Sequence, residues 1–107
     1  MPTKELIECE RVGLDYFETA PVVVQATQVV AATPERIFDV FLDADSWSRW
    51  AYPITSVDWT SPFPLEVGST RTVWMRAGMV GHEEFIAWEP FRRMAFRFNQ
   101  TIKGGPP

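Results

Sequence analysis

The stretch from Arg93 to Asn99 alternates between large apolar and polar side chains. The apolar set is Met94, Phe96 and Phe98, and the polar set is Arg93, Arg97 and Asn99. Successive side chains of a β-strand point to opposite faces, so this period of two predicts a strand with one buried and one wet face. A chain that contains such a strand must form a sheet and cover one face of it with other apolar groups.

The segments before this strand predict further antiparallel strands. Residues 54–60, 70–77 and 82–89 are rich in β-branched and aromatic residues, and turn-forming Pro and Gly separate them. Successive short strands with tight turns are typical of an antiparallel meander.

The register of the central hairpin decides which side chains share a face. If the turn centres near Met79, Met75 pairs with Glu83 and Val73 pairs with Phe85. A slip of one residue would bring Trp74 and Trp88 to that face instead. The first register puts six side chains on one face: Arg71, Val73, Met75, Glu83, Phe85 and Ala87.

The region before the meander predicts one more strand and then a helix. The sequence VVVQATQVVAA, residues 22–32, is rich in valine and alternates as a long half-buried strand would. Thr33 can cap a helix, Pro34 suits its first position and Glu35 suits its dipole. Apolar residues then recur at helical spacing and predict a buried stripe: Ile37, Phe38, Val40, Phe41 and Ala44.

An acidic turn follows this helix. Asp43 and Asp45 end the helix, and Asp45 or Ser46 can cap a second short helical turn with Trp47 and Trp50 on one side. Both tryptophans can either fill the core or contact a ligand.

Composition narrows the function classes. The chain has 107 residues, a hydrophobic fraction of 46% and a net charge of -4, which favours one folded domain and argues against nucleic acid as its main partner. Cys9 is the single cysteine, and no His/Cys cluster has metal-ligand spacing, so we predict a cytoplasmic protein with no metal and no cofactor. No apolar run reaches membrane-spanning length.

The order of these patterns resembles the START-like (SRPBCC) superfamily, which includes polyketide cyclase/dehydrase and lipid-transport relatives. The matching stretches are VVAATPERIFDVFLDADSWSRW, with the family's Asp and Trp at Asp43 and Trp50, VGSTRTVWM and FIAWEPFRRMAFRF. The resemblance implies an α+β helix-grip fold, in which a curved antiparallel sheet wraps around a long C-terminal helix and two short helices close one end.

The resemblance also implies a domain organisation. We expect a leader over residues 1–20, a START-like domain over residues 21–100 and a flexible tail over residues 101–107. Because the chain ends as QTIKGGPP, we expect the domain to lack its later strands and its long helix.

The family's cavity implies the binding of a small hydrophobic molecule, of lipid or polyketide type, between sheet and helices. Arg71 or Glu83 would anchor a polar group of the ligand. The expected binding residues are Trp47, Trp50, Arg71, Val73, Met75, Glu83, Phe85, Phe96 and Phe98.

Other functions stay open at this point. A polyketide cyclase or dehydratase could use Glu83 as an acid, in which case Glu83→Gln would lower turnover far more than binding. Glu83 could equally reach water or pair with Arg71. His82 is its neighbour in a strand and points to the opposite face, so the two form no catalytic dyad. A third alternative is a protein-interaction module, with the acidic N-terminal portion or the uncovered sheet face as the contact. A homodimer could cover that exposed sheet face.

Overall fold

The computed structural model describes residues 6–102, and its main element is an antiparallel sheet of five strands in the order β1-β5-β4-β3-β2. The α+β class predicted from the sequence is confirmed. The strands are β1 Leu6–Glu8, β2 Ile54–Trp59, β3 Thr70–Met75, β4 Met79–Glu89 and β5 Arg93–Ile102. The helices are α1 Tyr16–Thr19, α2 Pro34–Leu42 and α3 Trp47–Trp50, with 3-10 turns at Ala44–Ser46 and Arg76–Gly78.

The central hairpin of β3 and β4 has a different turn from the predicted one. Arg71 lies opposite Glu83 and Met75 lies opposite Met79, so the predicted pairing of Met75 with Glu83 is wrong. The chain reverses earlier because Ala77 and Gly78 take left-handed conformations, with φ of 67° and 73°. The register moves by an even number of residues, so Arg71, Val73, Met75, Glu83 and Phe85 still share one face, as predicted.

A bulge in β4 changes the face of the residues that follow Phe85. Phe85 lies opposite Phe96, but Ala87 lies opposite Ala95, the neighbour of Phe96 in β5. The predicted place of Ala87 on the same face as Phe85 is therefore wrong, because the extra residue shifts the alternation by one. Trp88 comes to the Phe85 side instead, and their ring centroids are 5.5 Å apart.

Helix α2 begins and ends as the sequence predicts. The Thr33 side chain accepts a hydrogen bond from the Arg36 backbone N–H at 3.2 Å, and Pro34 takes the first helical position. At the other end, Asp43 Oδ1 accepts from the Asp45 backbone N–H at 3.1 Å. This acidic turn stops α2 and starts the short turn that leads into α3.

The helices cover one face of the sheet and form the core there. Trp47 of α3 packs on Val57 of β2 and Val73 of β3, and all three side chains are buried. The Trp47 indole N–H also donates to the Phe41 carbonyl oxygen at 3.0 Å, which ties α3 to α2. This face is called the helix side below.

The strand predicted over residues 22–32 is not formed. Residues 21–30, called the valine segment below, adopt neither strand nor helix, and every one of them is exposed. Val24 and Val29 are 89% and 96% exposed. Alternation shows only that residues suit a strand, and a strand also needs a neighbour to receive its hydrogen bonds. Here β1, from the predicted leader, occupies the position beside the end of β5.

Two expectations concern the C-terminal end. Thr101 and Ile102 belong to β5, and the rest of the predicted tail, residues 103–107, lies outside the described residues. Within residues 6–102 the longest helix is α2 with nine residues, and no helix there has the length and apolarity needed to cross a bilayer.

Gly81 offers a test of the packing on the helix side. A Cβ atom added to Gly81 would lie 2.7 Å from Cδ1 of Phe98, so the Phe98 ring would have to move. We expect Gly81→Ala to lower the free energy of unfolding by about 1–3 kcal/mol in chemical denaturation. Gly13→Ala is the control, because its nearest atom lies 3.4 Å away. Equal stability of the two variants would contradict this packing.

Candidate functional site

The helix side holds a buried ion pair at its centre. Arg71 of β3 is 1% exposed and Glu83 of β4 is 3% exposed, and Arg71 Nε donates to Glu83 Oε1 at 2.7 Å. Their opposite positions in the β3–β4 register bring the two side chains together. The sequence left open whether Glu83 reaches water or pairs with Arg71, and the structure shows the pair.

Four aromatic rings surround the Arg71 guanidinium, and we call them the aromatic box. They come from α3, β2, β4 and β5, so the box joins four elements of the fold. Such contacts with a cation are favourable, and more so when the cation is shielded from water. The Arg71 Cζ atom lies 4.2 Å from the ring centroid of Trp47, 4.7 Å from Phe96, 5.4 Å from Phe85 and 5.7 Å from Trp59.

The two terminal nitrogens of Arg71 are left without a partner. Nη1 and Nη2 are both shielded from solvent, and neither has a hydrogen-bond acceptor among the described residues. Buried polar groups in proteins are nearly always hydrogen-bonded, and leaving one unsatisfied costs about 1–3 kcal/mol, more for a charged group. These N–H donors are therefore the unsatisfied part of the site.

Burial shifts the pKa of both members of the pair. Loss of water lowers the pKa of Arg71, and the charge and hydrogen bond of Glu83 act in the opposite direction. Loss of water raises the pKa of Glu83, although the Arg71 guanidinium lowers it. Both shifts have the same cause, because a low-dielectric surrounding disfavours each charged form.

A cavity of about 350 Å³ lies between the N-terminal residues and the sheet, and we call it the N-terminal cavity. The chain leaves β1 after Cys9, so the middle of β5 has open space beside it. The apolar side chains around this cavity are Val12, Tyr16, Phe17, Ile86, Phe96 and Phe98. Phe96 thus belongs both to the cavity wall and to the aromatic box.

Arg97 is the basic residue of the N-terminal cavity wall. Its Nε donates to Glu84 Oε1 at 3.1 Å, and its Nη1 donates to the Phe98 carbonyl oxygen at 3.3 Å. These donors of Arg97 already have partners in the protein, in contrast to Nη1 and Nη2 of Arg71.

A second cavity, the α2 cavity, lies between helix α2 and the turn that joins β4 to β5. Its volume is about 480 Å³. Its apolar lining consists of Pro34, Ile37, Phe38, Phe41, Phe91 and Met94.

The predicted binding residues fall into three groups. Trp47, Arg71, Val73, Glu83 and Phe85 are buried against one another, and Met75 packs on that core. Phe96 and Phe98 line the N-terminal cavity. Trp50 is half exposed and packs against Trp47, with ring centroids 4.5 Å apart and an interplanar angle of 40°. Contact of these residues with a ligand stays a prediction.

The sequence-based interpretation missed two parts of the site. Trp59 belongs to the aromatic box and lies opposite Arg71 in the β2–β3 register. Its spacing of two residues from Val57 was the sequence signal that could have placed both side chains on the same face of the sheet. The sequence carries no such signal for Val12, Tyr16 and Phe17. These residues lie beside β5 through contacts between distant parts of the chain.

His82 lies apart from Glu83, as predicted. Its Nδ1 lies 2.9 Å from Thr72 Oγ1, its partner in the β3–β4 register. Among residues 6–102, no group of three or more His, Cys, Asp or Glu side chains could hold a metal ion.

Comparison with known proteins places this architecture in a family. Residues 21–106 match the family described as polyketide cyclase / dehydrase and lipid transport. The chain belongs to that family. The resemblance drawn from the helix pair and the meander is thus confirmed.

Relatives in mycobacteria match over most of the chain. The uncharacterized protein Rv2574 of Mycobacterium tuberculosis and the uncharacterized protein Mb2604 of Mycobacterium bovis are each 59% identical over 92 residues, which is 86% of this chain and 55% of each relative. The chain spans about half the length of these curated relatives. No solved structure matches it.

The buried ion pair should be strongly coupled in a double-mutant cycle. Arg71→Met or Glu83→Leu alone leaves a buried charge without its counterion, so each should cost about 3–5 kcal/mol in urea denaturation. The double variant should cost clearly less than the sum, because no uncompensated charge remains.

The control for this cycle is the exposed pair of Arg93 and Glu89, with the same substitutions. Its coupling should stay below about 1 kcal/mol, since water screens exposed charges. Equal coupling energies in the two cycles would rule out a special role for burial.

Proposed function

We propose that the chain binds a small hydrophobic molecule in the N-terminal cavity. The observation that supports this most is the cavity wall itself, where aromatic and aliphatic side chains of the N-terminal residues face Phe96 and Phe98 of the sheet. The cavity volume lies within the range of about 300–1,000 Å³ that is usual for small-molecule sites. Membership in a family that includes lipid-transport proteins agrees with such a ligand.

The driving force would be burial of apolar surface. Each Å² of apolar surface removed from water contributes roughly 25 cal/mol, so a ligand of one or two fused rings gains several kcal/mol before the costs of association. The charged residues of the wall are Glu10 and Arg97, and the two Arg97 donors named above are already paired within the protein.

Binding is favoured over the enzymatic alternative by the surroundings of Glu83. This carboxylate faces Arg71, is 3% exposed and lines neither cavity. A cyclase or dehydratase that uses Glu83 as an acid would need that side chain to reach the substrate. The enzymatic role of Glu83 therefore stays a prediction, and no contact supports it. The cytoplasmic location predicted from Cys9 also stays a prediction.

Filling the N-terminal cavity should weaken the binding of an uncharged apolar dye. N-phenyl-1-naphthylamine gains fluorescence in apolar surroundings and can be titrated into the purified 107-residue chain. Val12→Trp places a larger side chain in the cavity wall, and we expect it to weaken dye binding at least about tenfold, equivalent to about 1.4 kcal/mol.

Two variants locate the dye. Val22→Trp adds the same side chain at an exposed position and should leave the affinity unchanged. Ile37→Trp fills the α2 cavity instead. Loss of dye binding in Ile37→Trp but not in Val12→Trp would move the site to the α2 cavity and contradict the proposal.

The protein-interaction alternative has one observation in its favour, the exposed valine segment. Val22, Val23, Val24, Val29 and Val30 are all more than half exposed, and the segment forms no strand. β-branched residues in an exposed and unpaired segment are suited to pair with another chain. The partner we consider is a second copy of this chain.

Light scattering after size exclusion tests this second candidate. A dimer held by the valine segment should give twice the 12.3 kDa mass of the chain and fall to the monomer mass in Val24→Asp/Val29→Asp. Gln25→Asp/Gln28→Asp adds similar charge to the same segment and should remain dimeric. A native protein of monomer mass would exclude the homodimer.

A further inference from the structure

Strand β5 has an open edge along much of its length. It spans ten residues, and β4 pairs with it on one side along most of them. On the other side β1 pairs with residues 100–102, and the Cys9 backbone N–H donates to the Asn99 carbonyl oxygen at 2.8 Å. Within the described part of the chain, no strand other than β4 pairs with residues 93–98. Because an antiparallel strand directs its backbone groups alternately to its two sides, this edge presents N–H and C=O groups to a further strand.

The opposite edge of the sheet is less suited to receive a strand. It is formed by β2, which carries a bulge between Ile54 and Ser56. Bulges twist an edge strand and are a common protection against further pairing. Residues 93–98 of β5 have no bulge of their own, since the extra residue beside them belongs to β4. The open edge of β5 is therefore the more regular acceptor.

This open edge of β5 lies along the N-terminal cavity. Phe96, Arg97 and Phe98 line the cavity on the sheet side, and Val12 and Phe17 line it on the side of the N-terminal residues. Helix α1 has no buried residue and Phe17 is 61% exposed, so little apolar burial holds that side in place. A strand added to β5 would place side chains against Phe96 and Phe98, in the space that the proposed ligand uses.

The valine segment has the properties of the strand that this edge lacks. Its ten residues include five valines and no charged residue. Valine favours strands, and an uncharged segment enters an apolar space without the cost of desolvating a charge. The segment is exposed and does not pair with β5 of its own chain. The pairing that these observations favour is therefore between two copies.

We propose that the valine segment of a second copy adds to β5 at residues 93–98, and that this strand and the hydrophobic ligand of the N-terminal cavity exclude one another. Each copy gives one segment and receives one, so the exchange closes at two copies. The inference rests on the proposed function, because it makes ligand binding and self-association alternative uses of the same cavity. The ligand thereby controls the oligomeric state of the protein.

Light scattering at increasing concentrations of N-phenyl-1-naphthylamine tests this exclusion in the native 107-residue chain. Without dye, we expect twice the 12.3 kDa mass of the chain, and dilution gives the dimer Kd. Each copy must release its dye before two copies can pair, so the factor 1 + [dye]/Kd enters once for each copy. Dye at ten times its Kd should therefore raise the apparent dimer Kd about 100-fold and lower the mass toward that of the monomer.

Each result of this titration has a distinct meaning. A dimer whose Kd is unchanged at saturating dye would overturn the exclusion and leave ligand binding in the cavity intact. A monomer mass at every protein concentration would overturn the strand pairing and also leave the ligand site intact. If no dye binds, the proposed function fails, and the present inference fails with it.

A proline tests the pairing of the valine segment. Thr27→Pro removes a backbone N–H from the middle of the segment, so it should raise the dimer Kd at least about tenfold. It should leave dye binding to the monomer unchanged, because Thr27 does not line the cavity. Thr27→Ala keeps the N–H and should remain dimeric. Equal dimer Kd values for these two variants would contradict strand pairing.

Val12→Trp tests the receiving edge. Because it fills the N-terminal cavity, it should raise the dimer Kd as well as the Kd for the dye. Ile37→Trp fills the α2 cavity and should change neither constant. If Val12→Trp weakens dye binding but leaves the dimer Kd unchanged, the valine segment pairs elsewhere and the inference is wrong.

Hydrogen exchange identifies the receiving edge in the native protein, without any substitution. Amides of the valine segment and of residues 93–98 should exchange more slowly in the dimer than after dilution to the monomer, because pairing gives their N–H groups an acceptor. Saturating dye should restore fast exchange in the valine segment. Slower exchange over residues 54–59 of β2 in place of residues 93–98 would move the added strand to the other edge and overturn the inference.

Discussion

The ion pair of Arg71 and Glu83 is the interaction on which the helix side of the sheet depends. Two opposite charges in a nearly water-free interior are tolerated only when they pair closely, because each alone would carry a large desolvation cost. Their separation of 2.7 Å requires Arg71 of β3 to lie opposite Glu83 of β4. Any change of register between these strands would separate the charges, so the pair favours a single alignment of the hairpin.

The aromatic box extends this constraint to the rest of the fold. Trp47 comes from α3 and Trp59 from β2, so both must reach the same guanidinium as the rings of β4 and β5. Two hydrogen bonds hold these tryptophans on α2, from the Trp47 indole to the Phe41 carbonyl and from the Trp59 indole to the Leu42 carbonyl at 3.2 Å. The acidic turn that joins α2 to α3 therefore helps to set the position of Trp47 above the sheet.

This arrangement separates the buried ion pair from the open space of the N-terminal cavity. Arg71 and Glu83 are buried and line neither cavity, whereas Phe96, which lies against Arg71, lines the N-terminal cavity. Phe96 takes part in both. Because the chain spans about half the length of its mycobacterial relatives, the activity of the whole proteins is a separate question from what this cavity can bind.

Local periodicity made one part of this fold predictable from the sequence. Helix α2 was predicted from Thr33, Pro34 and the apolar stripe that follows them. Strand β5 and the shared face of Arg71 and Glu83 were predicted from the alternation of apolar and polar residues. These patterns can be read locally because they reflect contacts that repeat every two or four residues. The other features are visible only in the folded chain. The left-handed turn at Ala77 sets the register of the hairpin, and the bulge in β4 brings Trp88 to the helix side. The valine segment stays unpaired despite its strand-like pattern. Folding also brings Val12 and Phe17 beside β5. Those outcomes depend on which distant groups are available to receive a hydrogen bond or fill a space, and no short stretch of sequence carries that information.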